Sequence, residues 1–328
     1  MTKISLYPER PLAVPMNARQ FLTKIPVPVC GLALGMASLD LFLSRTHGFY
    51  SYSIFAFLSF ILIVMVTARF IIDPRGVAKD LENPAVFGVL PTYTMTLMLL
   101  ATYAVDLLGD IALAIWLAAI VMSFVIMFFF VRMFLFGFSF EKVFPAWVVV
   151  FVGYVTASVT SADFGMQELG KILFWFGLIG YLAVLPLITY RTLVVRKIPE
   201  PLIPSIAIFA APANLLVVGC HSAFGASLPE IPFALVAVMG AVSYIAVMIY
   251  MPVMLNRKFY PSYAALTFPL VISAVAFYRL GGFYGLSSGR VFSVLQETTV
   301  VIAVLVVVYV LIRYIIFFCR TARGPAAV

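Results

Sequence analysis

Val300-Val301-Ile302-Ala303-Val304-Leu305-Val306-Val307-Val308 contains no side chain that water would solvate. The segment around it, residues 294–318, exceeds the roughly 20 residues that a helix needs to cross a bilayer. A second stretch of this kind leads from Ile120-Val121-Met122 to Phe128-Phe129-Phe130. Across the 328 residues, 64% are apolar and 10% charged, too little polar surface for a water-soluble chain of that length. Working outward, ten spans are expected, near residues 25–44, 52–72, 84–105, 110–131, 143–161, 169–190, 202–222, 231–251, 261–280 and 294–318. Short connections join them. The chain therefore reads as an all-α integral membrane protein. Residues 25–318 form one membrane domain between a basic tail, 1–24, and a short C-terminal tail, 319–328. The first 24 residues hold Lys3, Arg10, Arg19 and Lys24 but no apolar core before a small-residue cleavage site, so no cleavable leader is expected.

The net charge of +8 is spread over the loops, which argues against a nucleic-acid surface and reports topology instead. With the N-terminus in the cytoplasm, 17 of the 21 basic residues fall on the inner side, and only Arg45, Lys171, Arg279 and Arg290 fall outside. That asymmetry fits the positive-inside rule and an even number of spans, with both termini cytoplasmic in a cell membrane.

Pro28, Pro91, Pro145, Pro212 and Pro269 each lie in an odd-numbered span. Interior proline removes a backbone hydrogen bond and kinks a helix. A bilayer tolerates this where other protein groups or water satisfy the freed atoms. Five inner-to-outer spans with proline, each followed by a returning span, make five parallel helical hairpins. The kinked spans should surround a central feature and the others pack outside. Pro186 in the sixth span and Pro252 in the eighth make the alternation imperfect.

Conventional catalytic patterns are missing. His47, in an expected outer loop, and His221, at the end of the seventh span, join no cluster. Cys30, Cys220 and Cys319 lack metal-ligand spacing. Neither enzyme activity nor a cofactor is expected. Asp40 is the clearest charge inside a span; its place near the outer end suits a mouth residue or an ion pair with Arg279. Small and hydroxylated residues gather in the odd spans. Gly31 and Gly35 share a helix face, followed by Thr92, Thr94 and Thr96, then Tyr154, Thr156, Ser158 and Thr160, then Asn214, then Ser262, Thr267 and Ser273. Such spans face protein or a watery path, and purely apolar ones face lipid. A path lined this way would hold an anion through hydroxyl groups and surrounding positive charge. It should favour weakly hydrated anions. Carbonyls freed by proline would suit cations instead, so these residues leave the sign of the ion open.

Cys30-Gly31-Leu32-Ala33-Leu34-Gly35-Met36-Ala37 resembles the first-helix pattern of the tellurite-resistance/dicarboxylate transporter family. Asn83-Pro84 with Leu90-Pro91-Thr92, Phe144-Pro145-Ala146 and Ala211-Pro212-Ala213 resemble its third, fifth and seventh helices. Thr267-Phe268-Pro269 is similar to a motif of plant guard-cell slow anion channels, which belong to the same family. The likeness covers the whole membrane domain. It implies ten helices as five hairpins in a quasi-fivefold ring around a pore, a homotrimer with one pore per protomer, and Phe268 as the gate. Pore-lining positions would be Pro28, Gly31, Gly35, Pro91, Thr92, Pro145, Pro212, Asn214, Thr267 and Pro269. Channel members pass chloride, nitrate and similar anions, so inorganic or small organic anions are the expected partners. The alternative is a proton-linked C4-dicarboxylate or malate transporter, or a tellurite-resistance transporter. A carrier of a divalent substrate should place a basic side chain at the midplane, and none is evident.

Overall fold

A computed structural model describes residues 16–47 and 54–323. Lys3, Arg10 and the last five residues of the expected C-terminal tail lie outside the described residues. Among the described residues, ten helical spans are long and apolar enough to cross a membrane: Val29–Thr46, Ile54–Ile72, Pro84–Tyr103, Asp110–Leu135, Trp147–Phe164, Gln167–Val195, Glu200–Ser227, Glu230–Leu255, Pro261–Phe283 and Arg290–Ala322. The protein is all-α and membrane-spanning. The tenth helix runs to Ala322, past the expected end at 318. Residues 18–22 of the tail form a short helix whose Phe21 meets Phe318 edge to face. His47 closes the first helix rather than sitting in a loop.

Odd and even spans occupy different layers. Over the most apolar 18 residues of each span, 67% to 78% are buried in the odd spans, against 28% to 39% in the even spans. The even spans turn Phe57, Phe60, Val121, Phe128, Ile179, Ile249 and Leu305 outward, where only lipid could accept them. Each odd span packs against the even span that follows it, giving five consecutive hairpins. The odd spans also contact one another in a closed cycle: first to third, third to fifth, fifth to seventh, seventh to ninth, and ninth to first. Their later halves meet at one face through Ser38, Leu99, Val159, Ser222 and Arg279, one from each span, and there Tyr103 Oη donates to Asp40 and Arg45 reaches Asp163. The odd spans therefore run in the same direction.

Four of the five prolines act differently from interior kinks. Pro91 is the first residue of helix Pro91–Tyr103. Pro212 and Pro269 fall in the first turn of Ala211–Phe224 and Thr267–Phe283. Pro28 and Pro145 stand just before helices that begin at Val29 and Trp147. The seventh and ninth spans enter as 3₁₀ segments, Glu200–Ala210 and Pro261–Leu266, before becoming α-helical. The third span stays helical through Leu90 into Pro91, as an interior proline would have it, whereas the other four change to α-helix at or beside their prolines. The first turn of a helix has no intrahelical partner for its amides, so proline there forfeits nothing. Prolines interior to a continuous α-helix belong instead to even spans, Pro186 and Pro252.

Candidate pore and gate

The helix breaks create a cavity of about 330 Å³ among the N-terminal halves of all five odd spans. Pro28 and Gly31 line it from the first span, Thr92 and Met95 from the third, and Val152 and Gly153 from the fifth. Pro212, Leu215, Phe268 and Pro269 complete the wall from the seventh and ninth. Farther along the same five spans lies a second cavity of about 50 Å³. Ser38, Leu99, Val159, Val218, Ile272 and Arg279 are among the residues that line it.

Along every odd span, the residues lining the large cavity come before those lining the small one. Phe268 and Ile272 show this on the ninth span, one helical turn apart. Met95 and Leu99 do the same on the third, and Leu215 and Val218 on the seventh. An apolar band thus separates two cavities on one axis. Phe268 is 6% exposed and stands at the large cavity's edge of that band.

Five of the expected lining positions, Pro28, Gly31, Thr92, Pro212 and Pro269, and the expected gate, Phe268, are brought together around the large cavity. Gly35, Pro91, Pro145, Asn214 and Thr267 lie on the same spans without lining it. Gly35 faces the ninth span: a Cβ built there would lie 2.5 Å from Thr267 Oγ1 and 3.0 Å from the Phe268 amide nitrogen. Gly35 thus allows close approach of two helices instead of lining the pore as expected. Thr267 Oγ1 crosses that contact to donate to the Gly31 carbonyl at 2.9 Å. Asn214 Nδ2 donates to the Ala210 carbonyl at 2.8 Å and to Ser273 Oγ at 2.9 Å.

Several hydroxyl groups of the odd spans are tied to carbonyls of their own helices. Thr94 donates to the Pro91 carbonyl, Thr96 to Thr92, and Ser273 to Pro269. A buried hydroxyl needs an acceptor, and carbonyls around a broken helix offer one. Hydroxyl groups that do border the cavities are few, among them Thr92, Ser205 and Ser262 at the large one and Ser38 and Ser222 at the small one.

Charge is distributed unevenly. Arg45 and Arg279 both line the small cavity. Arg45 Nη2 is 2.8 Å from Asp163 Oδ1. Asp40 is buried and accepts from Tyr103 Oη at 2.9 Å rather than forming the expected pair with Arg279. At the other end, Asp80 lines the large cavity and is paired with Arg69. Arg69, at the end of the expected second span, and Arg191, just past the sixth, are only 5% and 3% exposed. Arg69 donates to the Ile25 carbonyl and Arg191 to the Lys197 carbonyl. Their hydrophobic neighbours gave no warning in the sequence, because burial at a helix end depends on which loop folds over it.

Ten spans arranged with five inside and five outside, and two cavities on the axis of the inner five, define a membrane transport protein. A family model described as voltage-dependent anion channel matches residues 25–315, and the chain belongs to that family. The match covers all ten spans apart from the last turns of the tenth. Its members are anion channels or transporters. Comparison with curated proteins gives no match.

Proposed function

We propose that this protein is an anion channel that passes monovalent anions such as chloride and nitrate passively through the centre of its five odd spans, with Phe268 as the closed gate. The observation that carries this reading is the pair of cavities lined by the same five spans and divided by an apolar band containing Phe268. An apolar constriction excludes water and ions until its side chains move. The membrane domain, 25–318, supplies the whole path, with the basic end of the odd spans toward the cytoplasm. Because one chain lines both cavities, assembly into a homotrimer would give three separate paths.

Two features support an anion over a cation. Arg45 and Arg279 add positive potential at the small cavity. Helices Val29–His47, Pro91–Tyr103, Ala211–Phe224 and Thr267–Phe283 all begin beside the large cavity. The N-terminus of a helix carries the positive end of its dipole. A dicarboxylate carrier would hold its doubly charged substrate against a basic side chain in mid-membrane. Arg45 and Arg279 stand instead near the C-terminal ends of their spans.

A mainly apolar wall replaces little of an anion's hydration, so anions that dehydrate easily should cross best. Nitrate is expected to be more permeant than chloride in reconstituted bilayers. The bi-ionic reversal potential checks this, and chloride preferred over nitrate would contradict the dehydration argument. Malate flux dependent on a proton gradient would favour the carrier.

A further inference from the structure

Thr156 stands on the fifth span between the two cavities. Gly153, three residues earlier, lines the large cavity, and Val159, three residues later, lines the small one. Gly153–Val155 is a 3₁₀ turn and Thr156–Thr160 is α-helical. Residues three apart eclipse one another in a 3₁₀ turn and remain on one face in an α-helix. Gly153, Thr156 and Val159 therefore share the face that looks toward the axis.

The neighbouring side chains account for the other directions. Tyr154 stacks on Phe124 of the fourth span at 4.9 Å. Val155 occupies the space beside Gly177 and Gly219, on the sixth and seventh spans. Ser158 Oγ donates to the Gly170 carbonyl, and Thr160 Oγ1 receives Trp116 Nε1 at 2.8 Å. The fifth span contacts the third and seventh, whereas the ninth contacts the first and seventh. Thr156 and Phe268 thus belong to non-adjacent members of the cycle.

Thr156 is 1% exposed, and its Oγ1 has no hydrogen-bond partner. Helical threonine commonly donates to a carbonyl three or four residues back, as Thr92, Thr94, Thr96 and Thr267 do here. A buried hydroxyl left without an acceptor weakens a fold. At this position, the missing acceptor can be supplied by whatever crosses the band.

We propose that the Thr156 hydroxyl donates a hydrogen bond to a partly dehydrated monovalent anion crossing the apolar band, and thereby sets which anions pass. The inference rests on the pore reading above. Chloride loses more hydration than thiocyanate on entering the band, so chloride depends more on this one donor.

The test compares Phe268→Ala with Phe268→Ala/Thr156→Val and Phe268→Ala/Thr156→Ser in proteoliposomes and planar bilayers. Valine keeps the shape and removes the donor; serine keeps the donor. The valine variant is expected to lose roughly tenfold in chloride conductance, the effect of one charge-assisted hydrogen bond. Its thiocyanate-to-chloride permeability ratio should rise, and serine should restore the parent's values. The melting temperature of Thr156→Val alone should equal or exceed that of the parent, because no internal bond is lost. Equal chloride conductance and permeability ratio with valine would overturn the role of Thr156 while leaving the gate intact. A fall of several degrees in melting temperature would show that the hydroxyl is bonded within the fold and would also overturn it. Absence of anion current from all three variants would overturn the pore reading together with this inference.

Discussion

Phe268→Ala should raise anion current in reconstituted bilayers by at least about a hundredfold over the parent. The physical basis is the apolar band between the cavities. Met95, Leu99, Leu215, Val218, Phe268 and Ile272 border it, and none offers an ion a replacement for water. A charge in the hydrocarbon region of a helix costs about 2.5–3.5 kcal/mol on insertion scales, and each ~1.4 kcal/mol is a tenfold change in rate or population. Removing the Phe268 ring takes the largest of these side chains from the band and lets the large cavity, about 330 Å³, extend toward the small one. A Phe→Ala change in a closed core costs about 3–5 kcal/mol. The cost here should be lower, since Phe268 already borders open volume. A thermal melt of the purified variant separates an opened pore from a damaged fold. Phe268→Leu, which keeps an apolar plug, should conduct far less than alanine. A well-folded Phe268→Ala protein with the parent's conductance would remove Phe268 from the gating role.

The second large effect is expected at Gly35. An alanine methyl there would sit 2.5 Å from Thr267 Oγ1 and 2.6 Å from Thr267 Cβ, beside the amide of Phe268. Thr267 is held by bonds to the carbonyls of Gly31 and Ala264, so it cannot swing aside without breaking them. The first and ninth spans must separate, at a cost of about 1–3 kcal/mol for overpacking. Gly35→Ala should therefore melt at a lower temperature and show a leak current, because the backbone that carries Phe268 shifts. Gly31 supplies the control. A Cβ on Gly31 would meet its nearest neighbour, Ala264, at 3.4 Å, so Gly31→Ala should melt within a degree or two of the parent. Equal stability and equal leak for the two variants would contradict the close-approach role of Gly35.

Much of this architecture could be read from the residues because a bilayer is a demanding solvent. Stretches such as Val300–Val308 have no alternative environment, so the spans fall within a few residues of their expected places. The odd and even layers were visible in the same way: Thr92, Thr94 and Thr96 mark a protein-facing span, and Phe128-Phe129-Phe130 a largely lipid-facing one. The prolines pointed to the correct five spans, but their local effect was misread. Whether a proline bends a helix or begins one depends on the residues preceding it. Pro201 and Pro204, which have no amide to donate, lie in the 3₁₀ entry before Pro212 and were a signal that the reading of Pro212 alone passed over.

The site was legible in part. Phe268 is one of 31 phenylalanines, and only the likeness of Thr267-Phe268-Pro269 to a known motif singled it out. Counting hydroxyl groups could not show which were bound to carbonyls, because that depends on rotamers and on the facing helix. Thr267 and Thr156 are the same residue type, yet one is fully engaged and the other has no partner. The positions of Arg45 and Arg279 beside one cavity also escaped the sequence. They are 234 residues apart and come together only when the cycle of odd spans closes.

The most direct test of the central claim is the zero-current potential of Phe268→Ala under a tenfold chloride gradient, with an impermeant cation and no proton gradient. An anion-selective path through the five odd spans requires a reversal potential near the chloride equilibrium value, about 59 mV in magnitude, with the sign for chloride moving down its gradient. A potential of the opposite sign, or one that stays near zero until a proton gradient is added, would contradict a passive anion channel.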